Sequence, residues 1–185
     1  MGGTTRVKVW PAVVVRPAVV ADADALARVR IASWRSAYRG IVPDAVLDAF
    51  DPVAEVATWH QRLTAVTDVS TEVAFVVEPP AKPHLVGFVS TGPARHPGEA
   101  GLGEVWAIYV DPEAQGRGVG RGLMDAAIRD LTKRGLREVV LWVFEANAPA
   151  RAFYERLGWM PDGAAKPFEI GGAAPVELRY RRRLA

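Results

Sequence analysis

A glycine-rich turn between an apolar strand and an amphipathic helix constrains this chain more than any other feature of its sequence. Residues 105–110 predict a strand that ends at Asp111-Pro112, residues 115–120 form the turn, and apolar residues recur at helical spacing over 123–131. Glycines let the backbone approach a ligand closely, and the N-terminus of a helix presents N–H groups to an anion. The pattern therefore predicts an anion site, of a kind that holds a diphosphate, where the turn meets the helix.

Spacing separates the phosphate motifs that compete for this turn. A Walker A loop requires Gly-Lys-Ser/Thr, and the sequence contains no Gly-Lys dipeptide. A dinucleotide motif Gly-x-Gly-x-x-Gly starting at Gly116 or Gly118 would need glycine where Arg121 or Leu123 stands. The pattern that fits is Gln-x-x-Gly-x-Gly, with its glutamine at position 115.

The rest of the chain alternates between strand and helix patterns, which predicts a mixed α/β fold. Strands are predicted at residues 9–16, 73–77, 85–91, 104–110, 138–145, 159–160 and 176–183. Helices are predicted from about 22 to 38, at 44–50 and 53–66, between the glycine turn and Gly135, and at 148–157. The second and third strands flank a Pro-rich turn at 79–83 and are expected to pair as an antiparallel hairpin. The nearly continuous apolar run at 138–145 predicts a strand buried inside the sheet.

Composition excludes several classes of function. The sequence has no cysteine, which rules out disulfides, thiolate metal sites and a cysteine nucleophile. The 23 Lys and Arg residues against 21 Asp and Glu residues leave a net charge of +2, too small to indicate nucleic acid as a partner. No serine lies in a Gly-x-Ser-x-Gly elbow. His60, His84 and His96 lack metal-ligand spacing, so they are interpreted as solvated or turn residues and no metal is expected.

The N-terminal segment does not have the pattern of an export signal. Arg6 and Lys8 precede an apolar run at 9–15, but Pro11 interrupts this run and Arg16 ends it. No stretch of the sequence approaches the roughly 18 apolar residues of a membrane span. The expectation is a cytoplasmic protein without a membrane partner.

Together with residues further along the chain, the turn resembles the GNAT superfamily of acyl-CoA-dependent N-acyltransferases. The match consists of Gln115, Gly118 and Gly120, then Asn147, Ala152-Phe153-Tyr154 and Leu157-Gly158-Trp159, in the order and spacing of that family. A weaker N-terminal match consists of Arg16-Pro17, Trp34, Tyr38-Arg39-Gly40 and Pro43. The resemblance implies a mixed, mostly antiparallel sheet of about six or seven strands, splayed at the cofactor site, with helices on both faces. It also implies one domain over residues 1–185, with a cofactor-binding core at about 104–159.

The resemblance implies acetyl-CoA as the acyl donor and assigns residues to it. The turn N–H groups would bind the pyrophosphate, with positive charge from Arg117 and Arg121 at the rim, and main-chain groups of Ile108 and Val110 would bind the acyl and pantetheine parts. Asn147 would contact the pantetheine arm, cap the following helix, or do both. The cofactor-binding residues expected in this way are Ile108, Tyr109, Val110, Gln115, Gly116, Arg117, Gly118, Val119, Gly120, Arg121 and Asn147.

Two residues are expected to carry the acid–base chemistry of amine acetylation. Aminolysis needs a neutral amine, and the resemblance assigns Glu104 as the base that removes a proton through water. Alternation along the strand places Glu104 on the same face as Trp106 and Ile108, and the alternative for it is a solvated carboxylate at the end of the strand. The resemblance assigns Tyr154 as the acid that protonates the departing thiolate, with helix packing as its alternative.

The sequence does not determine the acceptor beyond its being a primary amine, on a small molecule or a peptide. Trp34, Tyr38, Trp106 and Trp142 are expected to border it, although aromatic residues more often pack in a core. Without a cysteine, direct attack of the amine in a ternary complex is the simplest mechanism. The alternative function is a non-catalytic acyl-CoA-binding or sensing module. The sequence leaves open whether the protein forms a homodimer.

Overall fold

The computed structural model describes residues 12–77 and 83–184. Predictions that fall on residues 1–11, 78–82 and 185, including most of the turn expected at 79–83, lie outside the described residues. Within the described ranges, the strands are β1 (Ala12–Pro17), β2 (Ser70–Val77), β3 (His84–Pro93), β4 (Gly103–Val110), β5 (Glu138–Phe144), β6 (Met160–Pro167) and β7 (Val176–Arg183). The α-helices are α1 (Ala23–Ala37), α2 (Asp44–Asp48), α3 (Pro52–Thr64), α4 (Val119–Lys133) and α5 (Ala148–Arg156).

The seven described strands form one sheet in the order β1-β2-β3-β4-β5-β7-β6. Neighbouring strands are antiparallel except for β4 and β5, which run parallel because the chain returns across the sheet through α4. The predicted hairpin of β2 and β3 is confirmed, and so is the interior position of β5, which lies between β4 and β7. The mixed, mostly antiparallel sheet that the family resemblance implied is therefore confirmed.

Helices cover both faces of this sheet, also as predicted. On one face, α4 packs Leu123 and Leu131 into a core that includes Val89 of β3. On the other face, α3 packs Trp59 against Phe88, the neighbour of Val89 on the same strand, with ring centroids 4.9 Å apart. Both aromatic side chains are at most 2% exposed, and burial of each contributes about 1.5–3 kcal/mol to stability.

Strands β4 and β5 separate soon after they meet. Their register covers three residue pairs and ends where Val105 lies beside Leu141, although β4 continues to Val110 and β5 to Phe144. Beyond that point the two facing strand edges do not pair with each other. Their backbone N–H and C=O groups therefore need another hydrogen-bond partner. The splay of the sheet that the family resemblance implied is confirmed, and the gap lies beside the strand that leads into the glycine turn.

A β-bulge in β4 changes which side chains share a face. Ser90 and Thr91 are consecutive in β3, yet they pair with Ala107 and Val105 of β4. Trp106 is therefore the extra residue of the bulge. As a result Val105 and Ile108, three positions apart, both pack into the core beneath α4. The prediction that Glu104 shares a face with Ile108 is therefore wrong, because the bulge reverses the alternation and leaves Glu104 on the opposite face.

The last hairpin is longer than its sequence predicts. A strand was expected only at 159–160, whereas β6 runs from Met160 to Pro167 and contains Pro161 and Gly163, which are typical of turns. Both residues are tolerated because β6 pairs on one side only, with β7, and is the edge of the sheet. The residues of β6 thus extend the sheet on the side of β7 that faces away from β5.

Candidate active site

The glycine turn leaves an open surface at the start of α4. Gly118 is the N-cap of this helix with a φ of 81°, and Gly116 has a φ of 75°. Side chains are strained in this left-handed region, and a Cβ at either position would meet no atom within 4 Å. Glycine is therefore required by the backbone shape, and the space above the turn is free for a ligand.

Charge at the turn favours an anion. No side chain caps α4, and its first turn contains no acidic residue, so its N–H groups face the open surface without a side-chain acceptor. Arg117 and Arg121 are exposed beside them, and Arg121 makes a long ion-pair contact of 4.0 Å with Asp125. Together with the positive end of the helix dipole, these groups fit a diphosphate.

The other residues of the motif hold the turn on the sheet. Val119 is 1% exposed, so its side chain belongs to the core. A Cβ on Gly120 would lie 3.3 Å from the ring of Phe153, so glycine permits close packing of α4 against α5. Gln115 is exposed, and its Nε2 reaches the carbonyl oxygen of Val110 at 3.5 Å, the limit for a hydrogen bond.

Asn147 caps α5, as the sequence suggested. Its Oδ1 accepts a hydrogen bond from the backbone N–H of Ala150 at 3.2 Å, and the residue is 9% exposed. This bond satisfies one of the N–H groups that a helix leaves unpaired at its start. Contact between Asn147 and the pantetheine arm stays a prediction.

The gap between β4 and β5 belongs to a cavity with a volume of about 1180 Å³. The predicted site residues that line it are Trp34, Tyr38, Glu104, Trp106, Ile108, Tyr109, Trp142 and Tyr154. Val110, Asn147 and the residues of the glycine turn do not line it. The structure therefore brings the predicted catalytic and acceptor residues to one cavity, with the anion site of the turn outside it.

Glu104 is fully buried and is held by Arg95. The Arg95 guanidinium contacts both carboxylate oxygens of Glu104, with Nε at 3.1 Å from Oε1, and the backbone N–H of Arg95 donates to Oε2 at 3.0 Å. Arg95 also stacks on Trp106, with its guanidinium carbon 4.5 Å from the ring centroid. The alternative of a solvated carboxylate is therefore wrong, because the loop between β3 and β4 brings a guanidinium over Glu104.

Tyr154 presents a protonated phenol to the cavity. Its side chain is 8% exposed, and burial raises the pKa of the hydroxyl well above its ordinary value. The hydroxyl forms no hydrogen bond with any other described residue, while the ring packs beside Trp159 and Tyr180. Tyr154 thus combines the packing role with an available proton at neutral pH.

The aromatic residues expected at the acceptor form two parts of the cavity wall. The rings of Trp34 in α1 and of Tyr38, the C-cap of that helix, meet edge to face with centroids 4.9 Å apart. The Tyr38 ring also lies with its centroid 5.0 Å from that of Phe144 in β5. Trp106 donates its indole N–H to the carbonyl of Pro93 at 3.0 Å. The buried indole nitrogens of Trp34 and Trp142 have no hydrogen-bond partner among the described residues. Trp142 is the first residue of β5 beyond the stretch that pairs with β4.

Sequence reasoning missed a charged group beside Trp142. The ammonium of Lys166 lies 4.1 Å from the Trp142 ring centroid, contacts Nε2 of His96 and stands 3.4 Å from Glu177. His96 was interpreted as a solvated or turn residue, and it does begin a turn, because its carbonyl oxygen accepts from the backbone N–H of Glu99 at 3.1 Å. Its ring, however, packs with its centroid 5.0 Å from that of Trp142 in the cavity wall. Burial raises the pKa of Glu177. The sequence carries no local pattern that predicts this cluster, because its residues lie far apart along the chain.

Two further findings concern the kind of site. In residues 12–77 and 83–184, no group of three or more His, Asp or Glu side chains is placed to hold a metal ion. None of the helices described above is long and apolar enough to cross a membrane. What the described residues do provide is an anion site, a splayed strand edge and a cavity with acid–base groups.

Comparisons with known proteins agree with this geometry. The family described as "Acetyltransferase (GNAT) family" matches residues 34–159. The uncharacterized N-acetyltransferase YuaI of Bacillus subtilis (strain 168) is 33% identical over 167 residues, which are 90% of this chain and 90% of YuaI. Mycothiol acetyltransferase of Acidothermus cellulolyticus is 46% identical over 91 residues, which are 49% of this chain but only 28% of that protein.

A solved structure shows the same fold. The acetyltransferase yncA of Salmonella typhimurium, solved with its cofactor acetyl-CoA, has a TM-score of 0.67 and 22% identity, and the match covers 94% of this chain and 95% of that one. The family match spans the glycine turn, the splayed strands and α5, and YuaI matches almost the whole chain. Both named relatives are acetyltransferases, which favours an enzyme over a non-catalytic module. The chain belongs to the GNAT acetyltransferase family and is an N-acetyltransferase.

Proposed function

We propose that this protein transfers the acetyl group of acetyl-CoA to a primary amine by direct attack in a ternary complex. The observation that carries the proposal is the position of the gap between β4 and β5, which leads from the anion site at the glycine turn into the cavity that holds Glu104 and Tyr154. Acetyl-CoA, when bound, supplies an activated thioester carbonyl. The chain supplies the groups that bind it and move protons.

The donor site is proposed to extend from the turn along β4. The N–H groups at Gly118 and in the first turn of α4 would hold the diphosphate, with Arg117 and Arg121 at its rim. The edge of β4 beyond Val105 has no strand partner on β5, so its backbone groups would bind the extended pantetheine arm as another strand would. At the end of this edge, the carbonyl oxygen of Val110 already accepts from the Ser33 hydroxyl at 3.1 Å. An N–H of this edge aimed at the thioester oxygen would stabilise the negative charge that develops there.

Glu104 is proposed as the proton acceptor, through water. As the amine nitrogen bonds to the carbonyl carbon and the carbon–sulfur bond breaks, the amine proton passes to the carboxylate. Because Arg95 covers Glu104, proton uptake requires Arg95 to move aside, and its side chain is 48% exposed and has room to do so. The buried position of Glu104 would keep bulk water away from the transfer.

Tyr154 is proposed as the proton donor to the leaving sulfur. Its raised pKa keeps the hydroxyl protonated at neutral pH, and no other described residue occupies that hydroxyl. Protonation of the thiolate prevents the reverse attack on the new amide. Trp34, Tyr38, Trp106 and Trp142 would border the acceptor amine, because they line the same cavity.

Release of free thiol from acetyl-CoA tests the proposal directly. The protein has no cysteine, so every thiol detected comes from the cofactor. We expect thiol release that requires both the protein and an amine, measured over a panel of small amines and short peptides. Stabilisation of the protein by acetyl-CoA without thiol release for any amine would contradict the proposed transfer and indicate a binding module.

A further inference from the structure

A row of small side chains crosses the sheet on the face of the acceptor cavity. Thr71 of β2 lies directly opposite Ser90 of β3, and Ser90 lies directly opposite Ala107 of β4. Their alternation places all three on the face that α1 and α3 cover. The hydroxyl oxygens of Thr71 and Ser90 are 2.9 Å apart and both residues line the cavity.

This row forms the floor of a groove with large side chains on both sides. Arg95 and Trp106 stand along one side, and the helices α1 and α3 form the other. The groove begins at the gap beside Ala107 and ends between α3 and the segment 65–69. Two spacings between strands separate its ends, so the floor is about 10 Å long.

Charge in the groove is uneven along its length. At the inner end, Arg95 is neutralised by Glu104, and in the helical wall Arg30 forms an ion pair with Glu55. At the outer end, Arg62 lies over Trp59, with its guanidinium carbon 5.2 Å from the ring centroid, and forms no ion pair with any described residue. Burial is the largest cause of the lowered pKa of Arg62, and Arg30 lowers it further, while Glu55, which is paired with Arg30, acts in the opposite direction. Asp68, in the segment 65–69, also lines the cavity but forms no ion pair with Arg62.

The structure assigns to this groove an elongated primary amine with an anionic group at its far end. The amine nitrogen lies at the gap between β4 and β5, the body of the acceptor lies over Thr71, Ser90 and Ala107, and a carboxylate or phosphate about two strand spacings away binds Arg62. The inference rests on the proposed acetyl transfer and adds the class of acceptor. Amines that carry a second cation at that distance are rejected, because they meet Arg62.

Three amines of equal chain length test this assignment in the thiol-release assay. They are 8-aminooctanoate, which ends in a carboxylate, octylamine, which ends in a methyl group, and 1,8-diaminooctane, which ends in a second ammonium. We expect the highest kcat/KM for 8-aminooctanoate and the lowest for the diamine. Equal kcat/KM for the three amines, or a preference for the diamine, would overturn the assignment.

The variant Arg62→Gln removes the proposed anion contact. The ratio of kcat/KM for 8-aminooctanoate over octylamine should fall about tenfold or more, since a hydrogen-bonded charge contact is lost. Arg156→Gln is the matched control, because Arg156 is exposed on α5 and does not line the cavity, so the ratio should stay at the wild-type value. A ratio that Arg62→Gln leaves unchanged would show that no anion binds there.

A second variant tests the floor of the groove. Ala107→Leu should lower kcat/KM for 8-aminooctanoate relative to ethylamine, because the larger side chain blocks the path from the gap to Arg62. If ethylamine is acetylated and no eight-carbon amine is, the groove assignment is wrong while the proposed acetyl transfer stands. Absence of thiol release with every amine, despite stabilisation by acetyl-CoA, contradicts the proposed transfer itself and the assignment with it.

Discussion

Replacing Gly118 by leucine separates the role of the glycine turn in folding from its proposed role in binding acetyl-CoA. Gly118 and Gly135 flank the same helix, α4, with φ values of 81° and 80°, and a Cβ at either would meet nothing within 4 Å. The two positions therefore carry the same backbone strain and the same lack of local crowding. Only Gly118 lies at the end of α4 where the diphosphate is proposed to bind.

The expected loss of stability follows from the backbone conformation. A non-glycine residue in the left-handed region costs about 1–2 kcal/mol. For a protein of this size, each 1 kcal/mol lowers the melting temperature by about 2–4 °C. Gly118→Leu and Gly135→Leu should therefore melt a few degrees below the wild type, and by similar amounts.

Acetyl-CoA should then distinguish the two variants. At a concentration about 100 times its Kd, a ligand stabilises the folded state by about 2.7 kcal/mol. In Gly118→Leu the side chain would occupy the space above the turn, and loss of one charge-assisted hydrogen bond, about 1.5–3 kcal/mol, raises the Kd by roughly tenfold to a hundredfold. The shift in melting temperature should persist in Gly135→Leu and fall to about half or less in Gly118→Leu, as read by differential scanning fluorimetry. Equal shifts in both variants would refute the placement of the donor site.

Further predictions concern the proposed proton transfers and the stability of the fold. Glu104→Gln should lower kcat by about a hundredfold or more, because the amide accepts no proton, and a rate equal to wild type in the thiol-release assay would rule out Glu104 as the base. Tyr154→Phe should lower kcat by at least about tenfold with little change in KM for acetyl-CoA, and an unchanged kcat would leave the ring with a packing role alone. Hydrogen bonds from Arg16 lower the pKa of Asp22, so their contribution is complete above about pH 5 and is lost as the pH falls through the unfolded and then the folded pKa. Urea titrations should therefore show a shallower loss of stability between about pH 5 and pH 2 in Asp22→Asn than in wild type, and parallel profiles would contradict this role.

Much of the fold follows from local patterns. Helix α4 and strand β5 were predicted close to their observed limits, because periodic apolar residues and flanking glycines act over short stretches of chain. The end of β6 was missed, since its proline and glycine indicate a turn and only pairing with β7 makes them part of a strand. Edge position, which permits such residues, is a property of the whole sheet.

The glycine turn illustrates what the sequence determined by itself. Its motif, the strand before it, the helix after it and the family all follow from residues 105–159, because backbone conformation at glycine and helix initiation are local effects. The resemblance to that family also singled out Tyr154, while the structure places it in one cavity with the aromatic residues expected at the acceptor.

Only the tertiary structure decided the surroundings of these groups. The bulge at Trp106 sets the face on which Glu104 lies, and it arises from pairing with β3. The contact of His96 with Lys166 joins residues 70 positions apart, and the row from Thr71 to Ala107 joins three strands. Burial, charge compensation and the shape of the acceptor groove depend on such long-range contacts, which no local pattern of residues records.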